Sequence, residues 1–309
     1  MTKILKKRYN PKDVLKKKQW SKYISKATAL TMMHYNPDSI LYKSYKNTSY
    51  CADVLATDGT GKLTTTYCKN RWCQTCNRIR TAILVNGYAS QLKTLIEPCF
   101  VTLTLPTVKE PDLVTRISSM QKTWRKIYEL TKKAKFKRTY SSFRGIRKSE
   151  VTIRPNGFYH YHYHLIVEGW AQSEWLIGQW LKRYPKANAN AQDLRLANEY
   201  SLMELFKYAI KAEVKTDNKA NTRRYDVVFR ALRGKRTYQP FGGLKAVKED
   251  FEDEDLHNEV VLEDNINSIY KWVSNDWYEK TTGEALIGIE IPDKVKKMAG
   301  YPEPKDDTT

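Results

Sequence analysis

Hydrophobic and polar positions alternate with two different periods along this chain, and the changes of period mark its elements. Residues 99–106, Cys-Phe-Val-Thr-Leu-Thr-Leu-Pro, form an apolar run rich in β-branched residues and closed by Pro106. That is the pattern of a buried strand. From about Asp112, Leu113, Ile117, Met120, Trp124, Ile127 and Leu130 recur at steps of four and three, which predicts a helix with one buried face. Residues 132–148 are basic and read as an exposed connection. Residues 149–154 and 158–168 read as two strands around the turn signal Pro155-Asn156-Gly157. Helical spacing returns over 172–183 and over 200–214, and Tyr225 to Phe229 reads as a strand-like piece before the Gly242-Gly243 break. This order implies an α+β domain, a central and mostly antiparallel sheet flanked by helices.

Charge divides the chain further. Its 309 residues carry 54 Lys and Arg against 34 Asp and Glu, a net charge of +20. Such an excess favours a polyanionic partner, nucleic acid above all. The 21 Tyr and 8 Trp add flat rings that can stack on unpaired bases. Residues 1–49 read as a basic arm, whose first 27 residues are expected to be solvated and to grip phosphates. Residues 249–264 reverse the sign with nine acids in sixteen positions, so 248–309 reads as an acidic linker and C-terminal segment, with 265–292 folding back as a small element. No apolar run reaches the roughly 18 residues of a membrane span, and no secretory leader follows the start. The expectation is a cytoplasmic protein with no membrane partner.

Four of the five Cys fall within 26 residues, as Cys51-x16-Cys68-x4-Cys73-x2-Cys76. This spacing points to a closed structural zinc site, which would hold residues 50–80, a loop-rich element without a core of its own. Arg71, Trp72, Arg78 and Arg80 surround it and could touch DNA. Cys99 is expected in the core.

The strongest chemical signal is Tyr159-His160-Tyr161-His162-Tyr163-His164. Alternate residues of a strand share a face, so three of the chain's five His stand together, opposite three Tyr. A three-residue loop at Pro155-Asn156-Gly157 makes strand partners sum to 312 and sets Glu150 opposite His162. A two-residue Asn156-Gly157 turn would face Glu150 away. Glu150, His162 and His164 would then form a mixed nitrogen and oxygen ligand set with open positions, suited to Mn²⁺ or Mg²⁺ acting on a phosphate, and zinc would also bind. Further on, Glu204, Tyr208 and Lys211 lie at i, i+4 and i+7, one stripe of the helix expected over 200–214. Tyr208 there is a candidate nucleophile, with Lys211 offsetting charge and Glu204 taking a proton.

In this order, the residues resemble the rolling-circle replication initiator (Rep) proteins of bacterial plasmids, within the HUH endonuclease superfamily. Phe100 to Pro106 is similar to the family's first motif. His160 to Val167 is similar to the second, in which the last two His bind metal. Lys207-Tyr208-Ala-Ile-Lys211 is similar to the third, which carries the nucleophilic Tyr and an assisting Lys. Gly145 leading to Glu150-Val-Thr resembles the approach to the His strand, and Glu204 matches a Glu that some relatives use to activate water. The Cys pattern matches as well. Tyr161 departs from the Pro found in many relatives, which leaves His160 without an assigned role. The resemblance covers about residues 50–245 and implies an HUH fold over 96–247. It further implies binding of single-stranded or hairpin origin DNA, attack by Tyr208 to give a 5′-phosphotyrosine and a free 3′-hydroxyl, and a host helicase and polymerase as partners. A dimer is compatible with it. Tyr200 and Tyr225 are the fallback nucleophiles. The rival readings are a conjugative relaxase or single-strand transposase with the same chemistry, and a non-enzymatic zinc-containing DNA-binding regulator.

Overall fold

A computed structural model of the chain describes residues 11–57, 63–206, 210–212, 218–248 and 268–299. In chain order the elements begin with α1 (Pro11–Tyr35), α2 (Tyr42–Ser49), β1 (Val54–Thr57), β2 (Leu63–Thr65) and α3 (Gln74–Leu92). Next come β3 (Pro98–Thr104), α4 (Glu110–Thr131), α5 (Ala134–Thr139), β4 (Gly145–Ile153), β5 (Tyr159–Glu168) and α6 (Trp170–Arg183). They are followed by β6 (Asp193–Leu196), α7 (Glu199–Phe206), β7 (Ile210–Ala212), α8 (Asn218–Leu232) and β8 (Tyr238–Phe241), and then by β9 (Ile269–Val273), β10 (Asp276–Glu279) and α9 (Asp293–Ala299). Two compact units result, Thr81–Lys248 and the remainder on either side of it. No helix among the described residues is long and apolar enough to cross a membrane.

The Thr81–Lys248 unit is built on a sheet of strand order β6-β3-β5-β4-β7, with β8 also paired to β4. All these pairings are antiparallel except β7, which runs parallel to β4. The α+β reading, with an antiparallel sheet flanked by helices, holds. One face carries Val101, Leu103, Val151, Tyr159, Tyr161 and Tyr163 and is buried under α4 and α6. The apolar stripe expected on α4 supplies Leu113, Ile117, Met120, Trp124 and Ile127 to this core. The opposite face is divided. Phe100, Ile146 and Ile166 pack against Leu84 and Tyr88 of α3 and Leu205 and Phe206 of α7. Further along the same strands the side chains turn polar and line an open cavity of about 530 Å³.

The β4–β5 hairpin turns as the longer loop requires. Gly157 sits at φ +80°, in the left-handed region that favours glycine, and its N–H donates to the Arg154 carbonyl at 2.8 Å. Asn156 Oδ1 accepts from the Phe158 N–H at 3.0 Å. Residues 145–148 and 225–229 depart from expectation. Residues 145–148 belong to β4 rather than to an exposed connection. Arg147 is buried, its guanidinium 4.7 Å from the Trp124 ring and 4.4 Å from the Tyr163 ring, and Lys148 is fully buried. Charge suggested exposure, but stacking and pairing offset the burial of these cations. Tyr225 to Phe229 lie in α8, where Arg230 and Asp226 pair one turn apart at 2.7 Å; five residues are too few to separate the two periods.

In the other unit the order β10-β9-β1-β2 forms an antiparallel sheet, with Leu55 paired to both Thr65 and Tyr270. The expected boundaries at 80 and 248 coincide with the edges of the Thr81–Lys248 unit, while the segments expected as separate elements, 1–49, 50–80 and 248–309, contribute to one unit made from both ends of the chain. Residues 11–35 are helical rather than a solvated arm. Leu15, Lys22, Ala27, Ala29 and Met32 are buried along α1, and Gln19 Nε2 donates to the carbonyls of Asn275 and Ile289 at 3.0 and 2.9 Å. The buried side of this helix mixes Leu15, Ala29 and Met32 with the polar Gln19, Lys22 and Ser25, so neither charge counting nor an apolar period reveals it. Residues 1–10 and the acidic segment 249–264 lie outside the described residues.

Two glycines give opposite expectations. A Cβ on Gly145 would meet the Ile166 carbonyl oxygen at 2.1 Å, whereas one on Gly178 in α6 meets nothing within 4 Å. Gly145→Ala should destabilise the protein by about 1–3 kcal/mol, and Gly178→Ala should stabilise it by roughly 0.5–1 kcal/mol. Urea unfolding of both variants reads the two signs.

Candidate functional site

The polar half of the divided face is set by strand register. Glu150 lies opposite His162, which also faces Thr104 of β3 across its other edge. His164 faces Lys148 on one side and Thr102 on the other. The register expected from the three-residue loop is the one observed. It brings three donors together: His162 Nε2 lies 3.1 Å from His164 Nε2, and Glu150 Oε1 and Oε2 lie 3.6 and 3.8 Å from the two imidazoles. All three residues are buried.

Orientation is fixed from behind. His162 Nδ1 is 3.1 Å from the His160 carbonyl, an acceptor, so Nδ1 carries the proton and Nε2 offers its lone pair to the cluster. His164 Nδ1 is 3.1 Å from Thr102 Oγ1, and its ring leans on Phe100 at 5.4 Å. Burial acts to raise the Glu150 carboxyl, but His162 and Lys148 outweigh it and hold the group well below the usual carboxylate range. An ionised carboxylate and two neutral imidazoles at these separations fit adjacent positions around a divalent cation with bonds of about 2 Å.

His160 is outside this group. Burial, with the positive charge of Arg154 beside it, lowers its pKa to about 4. The neutral ring accepts from Arg154 Nη2 at 2.9 Å on Nδ1, so Nε2–H donates to Thr104 Oγ1. Glu204 lines the same cavity, and its Oε2 accepts from Arg195 Nη2 at 3.1 Å. Arg195 was not anticipated; its guanidinium lies 4.4 Å from the Phe100 ring and also donates to Ser201 Oγ at 3.0 Å. Lys148, beside Glu150, was missed as well. It stands two residues before the carboxylate on the same strand, and that spacing was the available signal.

The helix expected over 200–214 ends at Phe206, and Lys211 lies on β7, paired with Thr152. The Glu204, Tyr208 and Lys211 stripe is therefore not a continuous helical one. The β-branched Ile210 suits the strand, and parallel pairing satisfies backbone groups at the edge of β4. Tyr208 lies outside the described residues. Of the fallback tyrosines, Tyr200 is exposed on α7 and Tyr225 lies on α8, where burial raises its pKa.

In the other unit Cys51, Cys68, Cys73 and Cys76 converge, each sulfur within 4.8 Å of the others. Cys76 Sγ lies 3.5 Å from Cys51 Sγ and 3.6 Å from Cys68 Sγ. Tetrahedral zinc with bonds near 2.3 Å would place sulfurs ~3.8 Å apart, so the cluster fits that ion. Cys73 and Cys76 flank the start of α3, whose N-terminus favours thiolates. Lys22 of the supposed arm sits behind the cluster, donating to the Cys51 carbonyl at 2.7 Å and to Asp53 Oδ1 at 2.6 Å. Arg80 is buried with Nη2 on the Lys69 carbonyl, and Arg78 donates to Ser21 Oγ at 2.7 Å, so these two serve the element's own structure. Cys99 is in the core of the Thr81–Lys248 unit, as expected.

A family model described as Replication protein matches residues 62–282. A curated relative, "Protein rep" of Lentilactobacillus hilgardii, is 28% identical over 141 residues, which is 41% of this chain and 42% of the relative. The matched region thus spans about two fifths of that relative's length. No solved structure matches the chain.

Two measurements separate the two clusters. His162→Ala or His164→Ala should abolish stoichiometric Mn²⁺ binding to chelator-stripped protein, while His160→Ala should leave it; elemental analysis should find about one zinc per chain, lost in Cys76→Ser. Acid unfolding reads Glu150. Its folded pKa is depressed, so its pairing stabilises the fold above the unfolded value of about 4.3 and is lost as pH falls below that. Glu150→Gln should flatten this acid limb of the stability curve.

Proposed function

Because the chain belongs to the replication protein family, we propose that it initiates rolling-circle replication of a plasmid-like replicon by nicking a single-stranded or hairpin-presented origin. The observation that carries this reading is the convergence of Glu150, His162 and His164 on an open cavity that Glu204 also lines. A purely DNA-binding regulator would leave that buried ligand set unused. The unit Thr81–Lys248 is read as an HUH nicking domain, and the net charge of +20 as the means of holding DNA.

In this reading the phenol oxygen of Tyr208 bonds to the scissile phosphorus and the bond from phosphorus to the 3′-oxygen breaks. A 5′-phosphotyrosine and a free 3′-hydroxyl result, the latter a primer for a host polymerase working behind a host helicase. Bound Mn²⁺ or Mg²⁺ would supply Lewis-acid polarisation of the phosphate. The phenol proton leaves to water or to Glu204, which Arg195 orients. Lys211 would offset the developing charge, and Glu204 would later help water or a second strand release the adduct. Support for Tyr208 comes from its neighbours in the chain. α7 ends two residues before it, and two residues after it Ile210 pairs with Val151, next to Glu150.

Incubation with labelled single-stranded origin DNA and Mn²⁺, followed by peptide mapping, tests the reading. Tyr208→Phe should abolish the covalent adduct yet keep DNA affinity, since only the attacking atom is removed. Glu204→Ala should form the adduct and release it more slowly. An adduct formed by Tyr208→Phe at the wild-type rate would refute the assignment and direct mapping to Tyr200 and Tyr225.

A further inference from the structure

Lys148 is fully buried on the strand that carries Glu150, and it stands opposite His164 in register. Its Nζ lies 2.6 Å from Glu150 Oε2 and 3.5 Å from the backbone carbonyl of Glu204 at the end of α7. A fixed positive charge beside a divalent-cation site repels the cation, so electrostatics alone would make this lysine a handicap to metal binding. The geometry offers a reason for its presence. Glu150 Oε2 is engaged by Lys148 at 2.6 Å and stands 3.8 Å from His164 Nε2, while Oε1 lies 3.6 Å from His162 Nε2 and is not the atom held by Lys148. Rotation of the carboxylate would break the 2.6 Å pair inside a buried environment, where an unpaired charge is strongly disfavoured.

We propose that Lys148 is a positioning residue: by anchoring Oε2 of Glu150 it presents Oε1 to the metal and makes the carboxylate a one-oxygen ligand. The proposal rests on the reading of Glu150, His162 and His164 as a metal centre. It opposes simple charge repulsion in sign, because removing the lysine should weaken metal binding rather than strengthen it.

Titration of full-length protein with Mn²⁺, following free Mn²⁺ by electron paramagnetic resonance, measures this without any DNA cleavage. Lys148→Met should raise the Mn²⁺ Kd about tenfold or more, the range seen when partners of metal ligands are removed. Lys148→Gln, which keeps an N–H donor, should raise it less. In a Glu150→Gln background Lys148→Met should cause no further loss, because the lysine acts through that carboxylate. Unchanged or tighter binding by Lys148→Met, or an equal loss in the Glu150→Gln background, would overturn the proposal. If circular dichroism shows Lys148→Met unfolded, Lys148→Gln is judged by the same criteria, any loss relative to wild type supporting the proposal and none overturning it. Wild-type protein that binds no Mn²⁺ would refute the metal centre itself, and the role of Lys148 with it.

Discussion

Side chains alternate along a strand, so slipping β4 by one residue against β5 would turn Glu150 away from His162 and leave two imidazoles without their carboxylate. The loop at Pro155-Asn156-Gly157 prevents the slip. Gly157 adopts a backbone conformation that other residues rarely take, and the Arg154 and Phe158 backbones close the turn around it. The same register sorts the two faces of the sheet. It sends Tyr159, Tyr161 and Tyr163 into the core under α4 and α6, and His160, His162 and His164 toward the cavity. Fold stability and site assembly therefore depend on one hairpin.

Much of this was legible in the residues because the signals were periodic. The Leu113-to-Ile127 stripe and the alternating Tyr and His each repeat often enough to exclude the other period, and the Pro and Gly of the loop select one register from two. The failures share a different cause. Lys22, Arg147 and Lys148 were read as exposed because they are charged, yet each is buried. Lys22 and Lys148 are paired with carboxylates, at 2.6 Å in both cases, and Arg147 lies against aromatic rings. The partners of Lys22 and Arg147 are distant in sequence, where no local pattern announces them; for Lys148 the two-residue spacing to Glu150 on one strand was the only local sign. The break between α7 and β7 belongs to the same class, since the edge of β4, far back in the chain, overrides local helical spacing.

Electrostatics gives the buried site its character. Glu150 remains ionised in spite of burial because His162 and Lys148 stand beside it, and His160 is neutral because it is buried near Arg154. A prebuilt anionic ligand flanked by two imidazoles whose Nε2 atoms lie 3.1 Å apart requires little rearrangement to accept a cation. In the other unit four sulfurs converge within 4.8 Å of one another around the start of α3, and the C-terminal strands complete that unit's sheet.

The central claim is that this hairpin assembles a divalent-metal site from Glu150, His162 and His164. Crystals soaked in Mn²⁺ and measured for anomalous scattering test it directly. The account expects one strong peak about 2 Å from Nε2 of both His162 and His164 and from one Glu150 oxygen. A peak coordinated by His160 instead, or no peak within the cavity, would contradict it.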